Sequence, residues 1–233
     1  MQALILAGGR GKRLGSHTET INKCMLPYKG TPIIEYSINN AISANVDEIV
    51  IVVGYKSEDI IKKFGELYKN VPIKYVLQKE QNGLVGAIEC AKNIIKNDFI
   101  LFLGDEILFN PDYKAFIKAH IDRDDFVTCG VVEVSDINLV KKTYEIILDN
   151  NKIIKINEKP LNPSNNLMGT GNCIFKKGIF DYIDKTTVNP IRGEKELASL
   201  IQCAIDDNQI VRAFVITDRY VNLNQKSDLE FEF

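Results

Sequence analysis

The sequence predicts an α/β fold: a mostly parallel central sheet with helices on both faces, merging into a mixed second lobe. Two rhythms carry that reading. Through the first half, short apolar runs alternate with longer segments of helical period, the pattern of strand–helix–strand units. From about Phe126 onward, strand-like runs follow one another directly, and no Pro- or Ser-rich linker separates the two halves. The 233 residues are therefore expected to form one domain with two lobes, about 1–125 and about 126–233.

Taken in order, Gln2–Ala7 is a continuous apolar run ending in glycines, which reads as a buried strand feeding a loop. Thr31 followed by Pro32 reads as a cap and first helical position, opening a helix to about residue 44. Residues 48–53 are almost wholly β-branched, as in a central strand. Ser57 is expected to cap a helix with Glu58 and Asp59 in its first turn and Ile60, Ile61, Phe64 and Leu67 on one face. A strand at 73–77, a helix at 83–95 and a strand at 99–103 complete the first half. The second half offers strands at 127–134, 143–148, 152–157 and 170–175, then helical segments near Ile179 and at 193–205.

Composition narrows the function classes. Hydrophobic residues at 45% and charged residues at 26% exclude a largely disordered chain. With 29 basic against 31 acidic residues, a duplex-binding surface is disfavoured and no nucleic-acid partner is expected. No apolar run approaches the ~20 residues of a membrane span, and the N-terminus lacks the basic flank of a signal peptide. The expectation is a cytoplasmic protein with no membrane partner. Five scattered cysteines (Cys24, Cys90, Cys129, Cys173, Cys203) form no Cys-x-x-Cys pair, and His17 and His120 lie near none of them. Neither a zinc site nor a disulfide framework is expected.

The strongest chemical signal is Leu6-Ala7-Gly8-Gly9-Arg10-Gly11-Lys12-Arg13-Leu14, directly after the first strand. Glycines there let successive backbone N–H groups form a nest for phosphate oxygens, with Lys12 and Arg13 adding positive charge. A P-loop is excluded because Lys12 is followed by Arg13 rather than Ser or Thr. The dinucleotide fingerprint fails at Leu14, where it needs glycine. An ordinary turn accounts for one or two glycines, but not for three beside two cations. Further along stands Asn22-Lys23-Cys24-Met25-Leu26-Pro27, where Lys23 follows the anion loop in a segment without secondary-structure pattern.

These residues resemble the sugar-phosphate nucleotidyltransferases, whose signature opens Leu-x-Gly-Gly-x-Gly-x-Arg-Leu and closes Pro-Lys-x-x-x-Pro. Leu6 to Leu14 match the opening, and Lys23 with Pro27 the close; Asn22 replaces the family's proline. Later segments are similar in order and spacing. Gln78 with Gly83 resembles the base-reading segment, Gly104-Asp105 the metal and phosphate site, and Asn157-Glu158-Lys159-Pro160 the sugar-phosphate segment. Gly169-Thr170-Gly171-Asn172 resembles the Thr-Gly strand start, and Gly193-Glu194-Lys195-Glu196-Leu197 the opening of a late helix.

The resemblance implies a Rossmann-like nucleotide-diphospho-sugar transferase fold. It also implies an enzyme that joins a nucleoside triphosphate to a phosphorylated acceptor, most naturally a sugar-1-phosphate, releasing pyrophosphate. Arg13, Lys23 and Asp105 are the implied catalytic residues. Leu6, Ala7, Gly8, Gly9, Gly11, Lys12, Gln78 and Gly83 would bind the nucleotide, and Glu158, Lys159, Gly171, Asn172 and Glu194 the acceptor. Asp105 would hold Mg²⁺ as a hard ion wanting oxygen ligands. The family's second metal ligand is an aspartate, but Tyr220-Val221-Asn222-Leu223-Asn224 places Asn222 there. An amide oxygen still ligates Mg²⁺ with one charge fewer. That substitution weakens metal binding, shifts the second ligand to Asp105-Glu106, or marks an acceptor subfamily. The chain ends shortly afterwards, so the β-helical or helical extension of many relatives, with acetyltransferase or allosteric roles, is expected to be absent.

Two other readings stand beside the main one. A CTP-dependent cytidylyltransferase for a non-sugar phosphate or phosphonate, such as phosphocholine, shares the opening motif. A non-catalytic nucleotide-sugar sensor could dispense with Arg13, Lys23 or Asp105, all of which are present. The glutamine at 78 suits more than one base. Monomer and homo-oligomer are both compatible with the surface composition.

Overall fold

In the computed structural model, which describes residues 1–11, 14 and 18–223, the chain starts at the axis of its sheet. Strand β1 (Gln2–Ala7) is buried along its whole length. A minimal hairpin of β2 (Pro27–Tyr28) and β3 (Thr31–Pro32) leads into helix α1 (Ile33–Ser43). This helix begins one residue later than expected. Pro32 holds the capping position and Thr31 pairs with Tyr28, while the Leu26 carbonyl accepts from Ile33 N.

Strand β4 (Glu48–Val53) then runs parallel beside β1, residue for residue. Helix α2 (Ser57–Phe64) follows with Lys56 in the left-handed region as its cap, so Ser57 is its first helical residue rather than the cap. Gly65, at φ +61°, ends it. Ile60 and Phe64 are buried as expected, but Ile61 is 40% exposed and Leu67 lies beyond the helix at 63% exposure. Leu67 belongs to β5 (Leu67–Tyr68), which turns into β6 (Val71–Leu77), parallel to β4. Helix α3 (Gly83–Cys90) is shorter than its apolar period, its last residues giving way to successive turns. Strand β7 (Phe99–Leu103) returns to β1 on the side opposite β4.

The elements that follow β7 have weaker patterns. Strand β8 (Glu106–Leu108) and helix α4 (Tyr113–Arg123), capped by the Asp112 side chain on Ala115 N, follow β7. Strands β9 (Val127–Glu133), β10 (Tyr144–Asp149), β11 (Lys152–Glu158) and β12 (Leu167–Phe175) come next. Helix α5 (Leu197–Asp206) begins four residues later than expected, because a Val188–Lys195 bridge holds the chain extended up to Glu196. Strand β13 (Val211–Thr217) pairs parallel with β9, and β14 (Tyr220–Asn222) pairs antiparallel with β8.

One sheet runs through both halves, in the order β11-β10-β12-β7-β1-β4-β6-β5, with β9 and β13 joined through β12. Its centre is mainly parallel and Rossmann-like, because β1, β4, β6 and β7 all point the same way. Alternate residues of β1 and β4 feed two cores. Leu4, Leu6, Val50 and Val52 pack with α3 and α5, while Ile5, Ile49 and Ile51 pack with α1, α2 and α4. Burial on both faces is why these strands read as unbroken apolar runs. Among the described residues no helix is long and apolar enough to cross a membrane.

β12 carries a notch. Its first residues pair with β10 and its last with β7 along the same edge, and its register against β9 slips between Gly169 and Cys173. Thr170, Gly171 and Asn172 therefore fall where the ladder is interrupted, and their backbone groups need other partners.

Candidate active site

β7 and β4 flank β1 on opposite sides, so the strand order reverses at β1. Such a switch point leaves a crevice at the carboxyl ends of the strands. Here the loop after β1 and the Gly104-Asp105 turn after β7 open into one cleft of about 510 Å³. Leu6, Gly8, Gly9, Gly11, Lys23, Gln78, Gly83, Asp105, Glu158, Lys159, Gly171, Glu194 and Asn222 all line it. Two other expected residues, Ala7 and Asn172, are not among the lining. Ala7 is buried in the sheet core, Asn172 turns beneath the floor, and Lys12 and Arg13 lie outside the described residues.

The loop after β1 is shaped by close approach. A Cβ on Gly8 would stand 2.7 Å from Gln78 Oε1, so only glycine lets this backbone lie against that side chain. Gln78 donates to Asn82 Oδ1 at 3.2 Å and to the Gly83 carbonyl at 3.3 Å, and Gln81 Nε2 donates to the Gly8 carbonyl at 3.1 Å. Gly11 has φ +68° and would press a Cβ to 2.8 Å from Lys23 Cβ. Asn22 stands in the family's proline position and anchors the segment. Its amide donates to the Ala7 and Tyr55 carbonyls, and its oxygen accepts from Cys24 N at 2.8 Å.

That anchoring aims Lys23 inward. Its ammonium lies 2.6 Å from Asp105 Oδ2, and both groups line the cleft. Burial, then the charge of Asp105, pushes the neighbouring Cys24 thiol up, so it stays protonated and unreactive. Glu106 follows immediately. Burial and then the Asp105 charge push its acid up to about 8. Its carboxylate accepts from Gly171 N at 2.9 and 3.1 Å, from Tyr220 OH at 2.7 Å and from Asn172 Nδ2 at 3.3 Å. The notch in β12 is thus closed by Glu106, and the Gly171 N–H is committed to it rather than free for a ligand. Opposite Glu106 in register, Asn222 lines the cleft with its buried Oδ1 lacking a hydrogen-bond partner among the described residues.

The far wall is a charge network. Lys159, itself at φ +44°, lies 3.5 Å from Glu158, whose acid is raised by burial and then by Glu196. Arg192 reaches Glu158 at 3.9 Å and Glu196 at 2.8 Å. The Glu196 contact is an ion pair out of hydrogen-bond alignment, so that oxygen has a charge partner but no aligned donor. Glu194 packs against Gly83, where a Cβ would stand 2.9 Å from Glu194 Cβ, and this contact joins the two ends of the cleft. Thr143 lines the same wall with a buried hydroxyl that has no hydrogen-bond partner among the described residues.

Gln81, Thr143 and Arg192 were not expected from sequence, while Glu106 is named there only as an alternative second metal ligand and Glu196 only within the late-helix motif. The spacing of Arg192 and Glu196, four apart beside the Gly-Glu motif, carried a signal. Thr143 had none, because only the fold brings it to the cleft.

Residues 2–220 match the nucleotidyl transferase family. The UTP–glucose-1-phosphate uridylyltransferase AglF of Haloferax volcanii is 33% identical over 98% of this chain and 93% of its own length. The bifunctional protein GlmU of Methanocaldococcus jannaschii is 34% identical over 90% of this chain but only 48% of GlmU, so the chain spans about half of that relative. A solved UDP-glucose pyrophosphorylase, complexed with UDP-glucose, shares the fold at a TM-score of 0.86 and 21% identity, covering 98% of this chain and 95% of that one.

Proposed function

The chain belongs to the nucleotidyl transferase family, and from that membership we propose that it joins a nucleoside triphosphate to a sugar-1-phosphate, releasing pyrophosphate and making an activated sugar for glycan assembly. The observation that carries this reading is the Lys23–Asp105 pair at the switch point, facing across one cleft a wall where Lys159 and Arg192 stand among Glu158 and Glu196. A cation at each end suits a reaction between two anions.

The acceptor's phosphate oxygen attacks the α-phosphorus, and pyrophosphate leaves in line with it. Catalysis is then positioning and charge neutralisation rather than covalent work by the protein. In this assignment the loop from Gly8 to Gly11 cradles the triphosphate by backbone N–H groups, with Lys12 and Arg13 as its cations. Gln78 reads the base edge. Lys23 swings its ammonium between Asp105 and the α-phosphate as charge develops there, and Lys159 with Arg192 grips the incoming phosphate. The first half of the chain serves the nucleotide, the second the acceptor.

The residues present also fit Mg²⁺. Asp105 supplies a carboxylate and Asn222 an unpartnered amide oxygen, and this ion takes few protein ligands where phosphates complete its shell. When bound, it would neutralise phosphate charge. We place the reaction in the cytoplasm, where the five free thiols stay reduced.

The test is pyrophosphate release with Mg²⁺, crossing CTP, UTP, dTTP, GTP and ATP against sugar-1-phosphates, phosphocholine and 2-aminoethylphosphonate. Release with a sugar-1-phosphate supports the proposal and identifies the base. Release only with CTP and a non-sugar acceptor replaces it, and no release with any pair removes catalysis.

A further inference from the structure

Glu106 has no part in the chemistry above, yet it is a carboxylate 3% exposed on the cleft wall. Burying such a group is costly unless it has partners, and its partners come from three directions. Gly171 N and Asn172 Nδ2 belong to β12, and the Tyr220 hydroxyl to β14. All three are neutral. The neighbouring Asp105 is already paired with Lys23, so Glu106 is held by neutral donors alone.

The β8–β14 ribbon explains what the hub can do. Glu106 pairs with Asn222 and Leu108 with Tyr220, so Glu106, Tyr220 and Asn222 share one face. The Tyr220–Glu106 bond at 2.7 Å therefore fixes the strand two residues before Asn222. On the other side, Leu223 N donates to the Asp105 carbonyl at 3.1 Å. Asn222 is held between these two ties, on the wall that Asp105 also lines, with its amide oxygen unpartnered.

We propose that Glu106 is the positioning residue of the cation site: it locks the β14 arm so that the Asn222 amide oxygen faces the cleft beside Asp105. It does so without ligating the ion, because both of its oxygens are already hydrogen-bonded. The inference rests on the cation site assigned above to Asp105 and Asn222. Groups behind metal ligands tune affinity by about 10–100-fold, so the effect is measurable by binding alone.

The experiment is Mn²⁺ uptake by the full chain without substrates, followed by the loss of the free-ion electron paramagnetic resonance signal. Glu106→Gln is expected to weaken Mn²⁺ binding by at least about tenfold while the protein stays folded. Asn222→Ala is expected to weaken uptake to a similar degree, and combining it with Glu106→Gln to add little, because Glu106 acts through Asn222. Native affinity in Glu106→Gln overturns the proposal. So does a double variant whose two losses simply add, which gives Glu106 a role apart from Asn222. Should Glu106→Gln fail to fold, Tyr220→Phe keeps the carboxylate and cuts its tie to β14. Weakened uptake in that variant supports the proposal, and native uptake overturns it. A native protein that takes up no Mn²⁺ removes the cation site itself, whereas native uptake with an indifferent Glu106→Gln removes only the role of Glu106.

Discussion

The Lys23 ammonium and the Asp105 carboxylate meet at 2.6 Å although 82 residues separate them, one placed by the loop after β1 and the other by the turn after β7. The two strands are neighbours in the sheet, so the pair is set by strand pairing rather than by a flexible connection. Lys23→Ala is expected to lower turnover by about 10²–10³-fold, the range for removing one group that stabilises developing charge. Pyrophosphate release on a protein with an unchanged circular dichroism spectrum checks it, and near-native turnover takes Lys23 out of the mechanism.

Asp105→Asn removes the carboxylate assigned to the cation while leaving an oxygen in place. The Mg²⁺ concentration for half-maximal turnover is expected to rise on the order of tenfold or more. A metal titration that superimposes on that of the native protein would put the ion elsewhere.

Gly54 and Gly8 make a contrasting pair. A Cβ on Gly54 would lie 2.6 Å from the Gly8 carbonyl oxygen, which is backbone, whereas a Cβ on Gly8 meets the far end of the Gln78 side chain. Gly54→Ala should destabilise the fold by about 1–3 kcal/mol through overpacking. Gly8→Ala should fold normally but raise the KM for the triphosphate. Denaturant melts and steady-state kinetics separate the two, and equal stability losses would contradict this geometry.

Lys159 and Arg192 grip the acceptor in our assignment. Lys159→Ala should raise the acceptor KM about tenfold or more, the worth of one charge-assisted hydrogen bond, with little change in the KM for the triphosphate. A change confined to the triphosphate would exchange the roles of the two ends.

His120 gives a pH prediction away from the cleft. It is buried in α4 with Nδ1 2.8 Å from Thr128 Oγ1 and Nε2 without a hydrogen-bond partner among the described residues. Burial lowers its pKa from 6.5, with Asp125 and Asp98 pulling the other way and Lys176 adding to the lowering. A depressed folded pKa makes the stability from the neutral ring fully present above 6.5 and lost as pH falls through the folded value. The melting temperature should decline in that direction, and His120→Gln should flatten the decline. An unaltered slope would assign the acid sensitivity to other groups.

How much was legible depended on where the information lay. The loop from Gly8 to Gly11, with Lys23, sits in one short stretch, and Asp105 stands in the turn just after a strand of five residues, so local pattern sufficed. Helix α4 escaped because its buried face is Tyr113, Phe116 and His120, and a core histidine hides an apolar stripe. Leu67 kept the helical period of α2, but backbone at Gly65 outweighed it. The Thr-Gly motif places Asn172 at the acceptor. The notch in β12 instead turns it under the floor, where it accepts from Tyr113 OH at 2.7 Å, and a register slip leaves no trace in a motif.

The continuity of the sheet has a last consequence. Asp105 follows β7 and Gly171 lies on β12, and these strands are hydrogen-bonded neighbours, ~4.8 Å apart as sheet strands are. Among the described residues the proposed nucleotide and acceptor ends share one hydrogen-bonded sheet, so the cleft is expected to work as a ruler rather than a clamp. It would select acceptors by the reach from phosphate to far hydroxyl, and an acceptor too short or too long would lose reactivity through misalignment even where every polar contact could be made.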